Sequence, residues 1–90
     1  MSVLEFEVYY EHEPTSSRPF PLEDEDVQRN LRFLPNDLEH FLPGAQVSTT
    51  HEDYSNQRIR IRIEAEQPEK EVIAEVKRAL GLSNLFAKQL

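Results

Sequence analysis

The run Arg58-Ile59-Arg60-Ile61-Arg62-Ile63 constrains the fold more than any other segment of this chain. Cation and β-branched apolar residue alternate strictly, and that period of two belongs to a β-strand with one buried face. The isoleucines share one face, and Arg58, Arg60 and Arg62 share the other. A second segment repeats the pattern with opposite sign. In residues 3–11, Leu4, Phe6, Val8 and Tyr10 fall on one side, and Glu5, Glu7 and Glu11 fall on the other with Tyr9. Opposite charges on facing residues of adjacent strands favour pairing and like charges oppose it, so these two strands are expected to be neighbours.

Ninety residues make one domain, spanning 1–90 in this reading, near the small end of what folds alone. Such a chain buries roughly 60% of its unfolded surface and has a net stability of about 5–10 kcal/mol. That leaves a thin core with little room to enclose a large ligand. The chain has no cysteine, which excludes disulfide, zinc–thiolate and iron–sulfur frameworks. No apolar run approaches a membrane span, and no basic flank precedes an apolar core at the N-terminus. We therefore expect no signal peptide, no membrane association and a cytoplasmic location.

The net charge of −7 is concentrated at the front of the chain. Residues 1–45 hold three bases against ten acids, whereas residues 46–90 hold seven of each. An acidic balance opposes nonspecific attraction to phosphate backbones and suits a basic protein surface; it also keeps a small protein soluble.

Beyond the first strand, residues 13–21 contain three prolines and several small polar residues, the composition of a semi-rigid loop. From Leu22 to Leu34 the spacing of Val27, Leu31 and Leu34 predicts a helix. Val27, Arg29, Leu31 and Phe33 also alternate, so residues 27–34 fit a short strand as a second reading. Pro35 is expected to end the helix, with Asn36 or Asp37 capping a second, short one before Pro43-Gly44. Ala45 to Glu52 reads as a strand. Residues 53–57 read as the turn of a hairpin leading into the arginine strand. Pro68 opens a helix whose apolar stripe is Val72, Ile73, Val76, Ala79 and Leu80, with Gly81 in the position of a left-handed C-cap. The tail, residues 83–90, reads as a short terminal helix capped by Ser83.

The expected class is α+β: a β-α-β-β-α two-layer sandwich with a three-stranded sheet of order 2-3-1. The first strand is expected to run parallel to the third, and both helices to cover one face. By element order alone, this resembles a ferredoxin-like fold truncated before its last strand.

Two groups of residues are candidates for binding. The sheet face carrying Arg58, Arg60 and Arg62 beside Glu5, Glu7 and Tyr9 is a solvated charge ladder in the simplest reading. Exposed pairs of this kind contribute only about 0–1 kcal/mol each. Left uncovered, the same face is also a docking surface. The cluster Glu23, Asp24, Glu25 and Asp26 complements the N-terminal end of a helix dipole and adds solubility. It is also a candidate acidic patch for a partner with a basic surface. Four consecutive acids splay around more than one helical turn, and the glycine-centred calcium loop is missing, so no metal site is expected. His12, His40 and His51 fall on different parts of the expected topology. No serine sits in a nucleophile elbow, and two glycines cannot build a phosphate loop.

These observations lead to a non-catalytic, cofactor-free protein-interaction domain: an inhibitor, adaptor or accessory subunit whose partner has a basic surface. A homodimer through the open face or an unpaired edge is a further expectation. The alternative is a nucleic-acid-binding module using the arginine face with Tyr9 and Tyr54. It is the weaker reading, because recognition sheets of that kind stack bases on aromatic residues and here only Tyr9 is expected on the face.

Overall fold

The structure, a computed structural model, describes residues 1–10, 24–83 and 85–90. Four strands and two helices follow in the order β1 (Ser2–Tyr9), α1 (Asp24–Phe41), β2 (Gln46–Asp53), β3 (Arg58–Ala65), α2 (Glu69–Ser83) and β4 (Phe86–Gln89). A 3-10 turn, Tyr54–Asn56, joins β2 to β3. The sheet has the order β2-β3-β1-β4, and every neighbouring pair is antiparallel.

Periodicity explains the core. Leu4, Phe6 and Val8 of β1 and Ile59, Ile61, Ile63 and Ala65 of β3 are all buried, while the residues between them face away. Those inner faces meet Val27, Leu31, Leu34, Leu38 and Leu42 from α1 and its end, and Val72, Val76, Ala79 and Leu80 from α2, in one continuous cluster. Both helices therefore lie on the same side of the sheet, and no buried polar or charged residue interrupts the core among the described residues.

The β1–β3 adjacency expected from the charge rows is present, but its direction differs. The register Glu5↔Arg62 and Glu7↔Arg60 is antiparallel, not parallel. The crossover through α1 makes β1 and β2 point the same way, and the hairpin then reverses β3. The expected three-stranded 2-3-1 sheet is also one strand short. In place of a terminal helix over 83–90, residues Phe86–Gln89 pair with β1 as a fourth strand, and the Leu90 N–H donates to the Glu5 carbonyl at 2.9 Å. The element order is thus that of a complete β-α-β-β-α-β unit, not a truncated one.

Two helix boundaries differ as well. Helix α1 continues through Pro35 as one element instead of dividing there. A proline removes one N–H from the helical ladder but leaves the remaining turns bonded. Here Leu31 and Leu34 before it and Leu38 after it are all fully buried in the same core. Helix α2 likewise runs through Gly81 to Ser83, and Gly81 does not adopt a left-handed conformation. The helix closes instead with the Leu85 N–H on the Leu80 carbonyl at 2.9 Å. The left-handed glycine is Gly44, at φ +83°, where the chain turns from α1 into β2. Residues 27–34 are helical, and the strand reading of that segment does not apply. The proline-rich loop 13–21 lies outside the described residues.

Candidate interaction face

No described residue covers the side of the sheet away from the helices, and pairing arranges its residues in rows that cross the sheet. One row runs His51–Arg60–Glu7–Lys88 from β2 to β4. The next runs Asp53–Arg58–Tyr9–Phe86. A third joins Ser48, Arg62 and Glu5, with Leu90 continuing the alternation of Phe86 and Lys88 beside Glu5. Register follows from the buried side: a slip of one residue would place Ile59, Ile61 and Ile63 in water.

At the centre, the strand partners Glu5↔Arg62 and Glu7↔Arg60 face each other, but the ion pairs form elsewhere. The Arg58 guanidinium reaches diagonally to Glu7 at 3.7 Å, and Arg62 reaches along its own strand to Glu64 at 3.3 Å. Both pairs are substantially exposed, so each adds little stability. Neither the Arg60 guanidinium nor the Glu5 carboxylate has an ion-pair partner among the described residues.

At one corner the rings of Tyr9 and Phe86 stack with centroids 6.0 Å apart and planes 24° apart. Phe86, Val3 and Leu90 are exposed to 37%, 50% and 55%, which leaves an apolar margin along the β1–β4 side. Near the β2 edge, an open depression of about 480 Å³ is lined by Glu7, Thr50, His51, Asp53, Arg58, Ile59 and Arg60. A bulge adjoins it. The register shifts between Thr49 and His51, which brings His51 opposite Arg60.

The turn beyond that depression is tied down by Asp53. Asn56 Nδ2 donates to Asp53 Oδ2 at 2.9 Å and Ser55 Oγ to Oδ1 at 3.3 Å. The Asn56 bond chiefly holds the Asp53 carboxyl below its ordinary pKa. Gln57 then takes a left-handed conformation at φ 58°, completing the reversal into β3.

The other candidates are dispersed. Glu23 lies outside the described residues. Asp24 opens α1, Glu25 is exposed, and Asp26 is engaged by Arg29 one turn further on. The acidic start of α1 is therefore partly neutralised by its own helix. Tyr54 is not on the arginine face: it packs against the core, and the Arg32 guanidinium of α1 lies 5.0 Å from its ring centroid. Burial raises the Tyr54 pKa, with Glu52 adding in the same direction. His40 ends α1, His51 lies on β2, and His12 is outside the described residues. No three His, Cys, Asp or Glu side chains gather into a metal-binding group among the described residues. No helix there is long and apolar enough to cross a membrane.

Arg58, Arg60, Arg62, Glu5, Glu7 and Tyr9, expected on this face from the sequence, are on it, and Glu11, expected with them, lies outside the described residues. Phe86, Lys88 and Leu90 on β4 and its end, and His51 and Asp53 on β2, are on it without having been expected. Phe86, Ala87, Lys88 and Gln89 do not alternate between apolar and polar, so the sequence carries no period-two signal for β4.

No family model matches the sequence, and no curated protein matches it. Among solved structures, the chain is similar to a C-terminal segment of the alpha subunit of aIF2 from Pyrococcus abyssi, at 20% identity and a TM-score of 0.45. That similarity covers 98% of this chain and 47% of the other, so the chain spans about half the length of its structural relative.

Proposed function

We propose that this chain is a small non-catalytic protein-interaction domain, acting as an inhibitor, adaptor or accessory subunit, and that it docks through the uncovered sheet face. The observation that carries the reading is the composition of that face. Four bases (Arg58, Arg60, Arg62, Lys88) stand among four acids (Glu5, Glu7, Asp53, Glu64), bordered by exposed Val3, Phe86 and Leu90. Mixed charge with an apolar margin suits a protein surface, on which complementary charges set register and the aromatic groups at the edge add apolar contact.

Affinity capture from the native host tests this. Arg60→Glu and Phe86→Ala should each release the captured partner, while neutralising Glu23, Asp24, Glu25 and Asp26 should weaken it only in proportion to charge. Retention by both face variants, with loss on neutralising the four acids, would move the interface to the start of α1.

One observation favours a second reading, single-stranded nucleic acid. The stacked pair Tyr9–Phe86 lies in the same row as Arg58, so a base platform adjoins a cation. Against it, four acids share the face. Titration with oligonucleotides at low and high salt separates the two, since phosphate contacts impose a steep salt dependence. Absence of binding at low salt removes this reading.

A further inference from the structure

We infer that the occupant of the sheet face is a second copy of this chain, related by a two-fold axis parallel to the strands. The inference rests on the interaction reading above and names its partner. Consider where such an axis must run. The strand order is β2-β3-β1-β4, so the midline of the sheet falls between β3 and β1. Rotation about a line above that midline lays β3 of one copy over β1 of the other, and β2 over β4, at unchanged height along the strands. Each cross-strand row then meets its own reversed copy. Arg60 lies over Glu7, Arg62 over Glu5, and Arg58 over Tyr9, where a guanidinium and an aromatic face attract. Every contact occurs twice, as an isologous interface requires.

The alternative axis, across the strands, lays β3 over β3 and β1 over β1, setting arginine against arginine and glutamate against glutamate. Charge therefore selects one geometry. It also selects one face. Two copies with a net charge of −7 each repel wherever the acidic surplus meets itself, whereas the described residues of this face sum to zero. Arg60 and Glu5 have no ion-pair partners among the described residues.

Size bounds the strength. Three strands of eight residues and one of four, about 4.8 Å apart and rising about 3.3 Å per residue, give a face of roughly 440 Å² per copy. The total of about 900 Å² lies below the standard size for a stable interface, in the range of weak and transient association.

Sedimentation equilibrium over a concentration series tests the proposal. The wild type should show a reversible monomer–dimer equilibrium that weakens with salt. Glu7→Arg and Arg60→Glu should each weaken it by more than about tenfold, since each creates like-charge contacts across the axis. Mixing the two variants should restore association. The cation introduced at position 7 of one copy then meets the carboxylate introduced at position 60 of the other, and the unsubstituted pair remains on the far side of the axis. A mixture no tighter than either variant alone overturns the proposal. A second measurement avoids charge reversal altogether. The chain has no cysteine, so Ser48→Cys carries a single spin label, and spin-labelled chain is mixed with isotope-labelled wild type. Broadening of the Leu90 and Lys88 amides in the isotope-labelled copy is expected, because β2 faces β4 across the axis. A wild type that stays monomeric and shows no broadening at millimolar concentration refutes self-association. Capture of a foreign protein lost in Arg60→Glu would in that case leave the interaction reading standing.

Discussion

Replacing Pro35 by alanine should stabilise this protein, contrary to the usual direction for a substitution at a half-buried position. Helix α1 spans Asp24–Phe41 with Pro35 inside it. Proline offers no N–H to the carbonyl of Leu31 four residues back, and in a helix interior it is about 3 kcal/mol less favourable than alanine. The ring is only partly buried. Losing two of its carbons at half burial costs about 0.8 kcal/mol, taking about 0.8 kcal/mol for each fully buried methylene. The balance is a gain of about 2 kcal/mol, which for a domain of this size raises the melting temperature by roughly 8–16 °C. Urea and thermal unfolding followed by far-ultraviolet circular dichroism measure it directly. The opposite architecture has the opposite sign. If the chain broke into two helices at Pro35, its preset φ would restrict the unfolded chain, and alanine would lose about 0.4–1 kcal/mol. An unchanged or lowered midpoint for Pro35→Ala therefore refutes a continuous α1.

Ile61 is fully buried at the middle of the central strand β3, so Ile61→Ala should cost about 2–5 kcal/mol in urea unfolding; a loss below about 1 kcal/mol would contradict its place in the core. Asp53 should titrate below the ordinary carboxylate range, and Asn56→Ala should move its midpoint upward by nuclear magnetic resonance; an unmoved midpoint would show that the Asn56 bond is not the cause. Because this carboxyl is depressed on folding, its contribution to the turn is present above the ordinary range and lost as pH falls through its lowered value.

The candidate face was legible in the sequence only where a strand's own alternation is long enough to declare it. Six consecutive alternating residues in β3 and the apolar set Leu4, Phe6 and Val8 in β1 left no other way to separate polar from apolar groups. Arg58, Arg60, Arg62, Glu5, Glu7 and Tyr9 follow from that. Phe86 and Lys88 do not, because β4 is four residues long and exists by virtue of the hydrogen bonds that β1 provides. His51 and Asp53 reach the face through a bulge at Thr50, a feature of how β2 meets β3.

Side-chain periodicity is local, and it settled which residues of β1, β3 and α2 turn inward. Pairing direction, the completing strand and the unbroken α1 depend on contacts between segments distant along the chain. The crossover through α1 and the hairpin after β2 together set β3 antiparallel to β1, a consequence of path that no single segment records. Likewise, a buried leucine row spanning Pro35 holds α1 together against the preference of its own backbone.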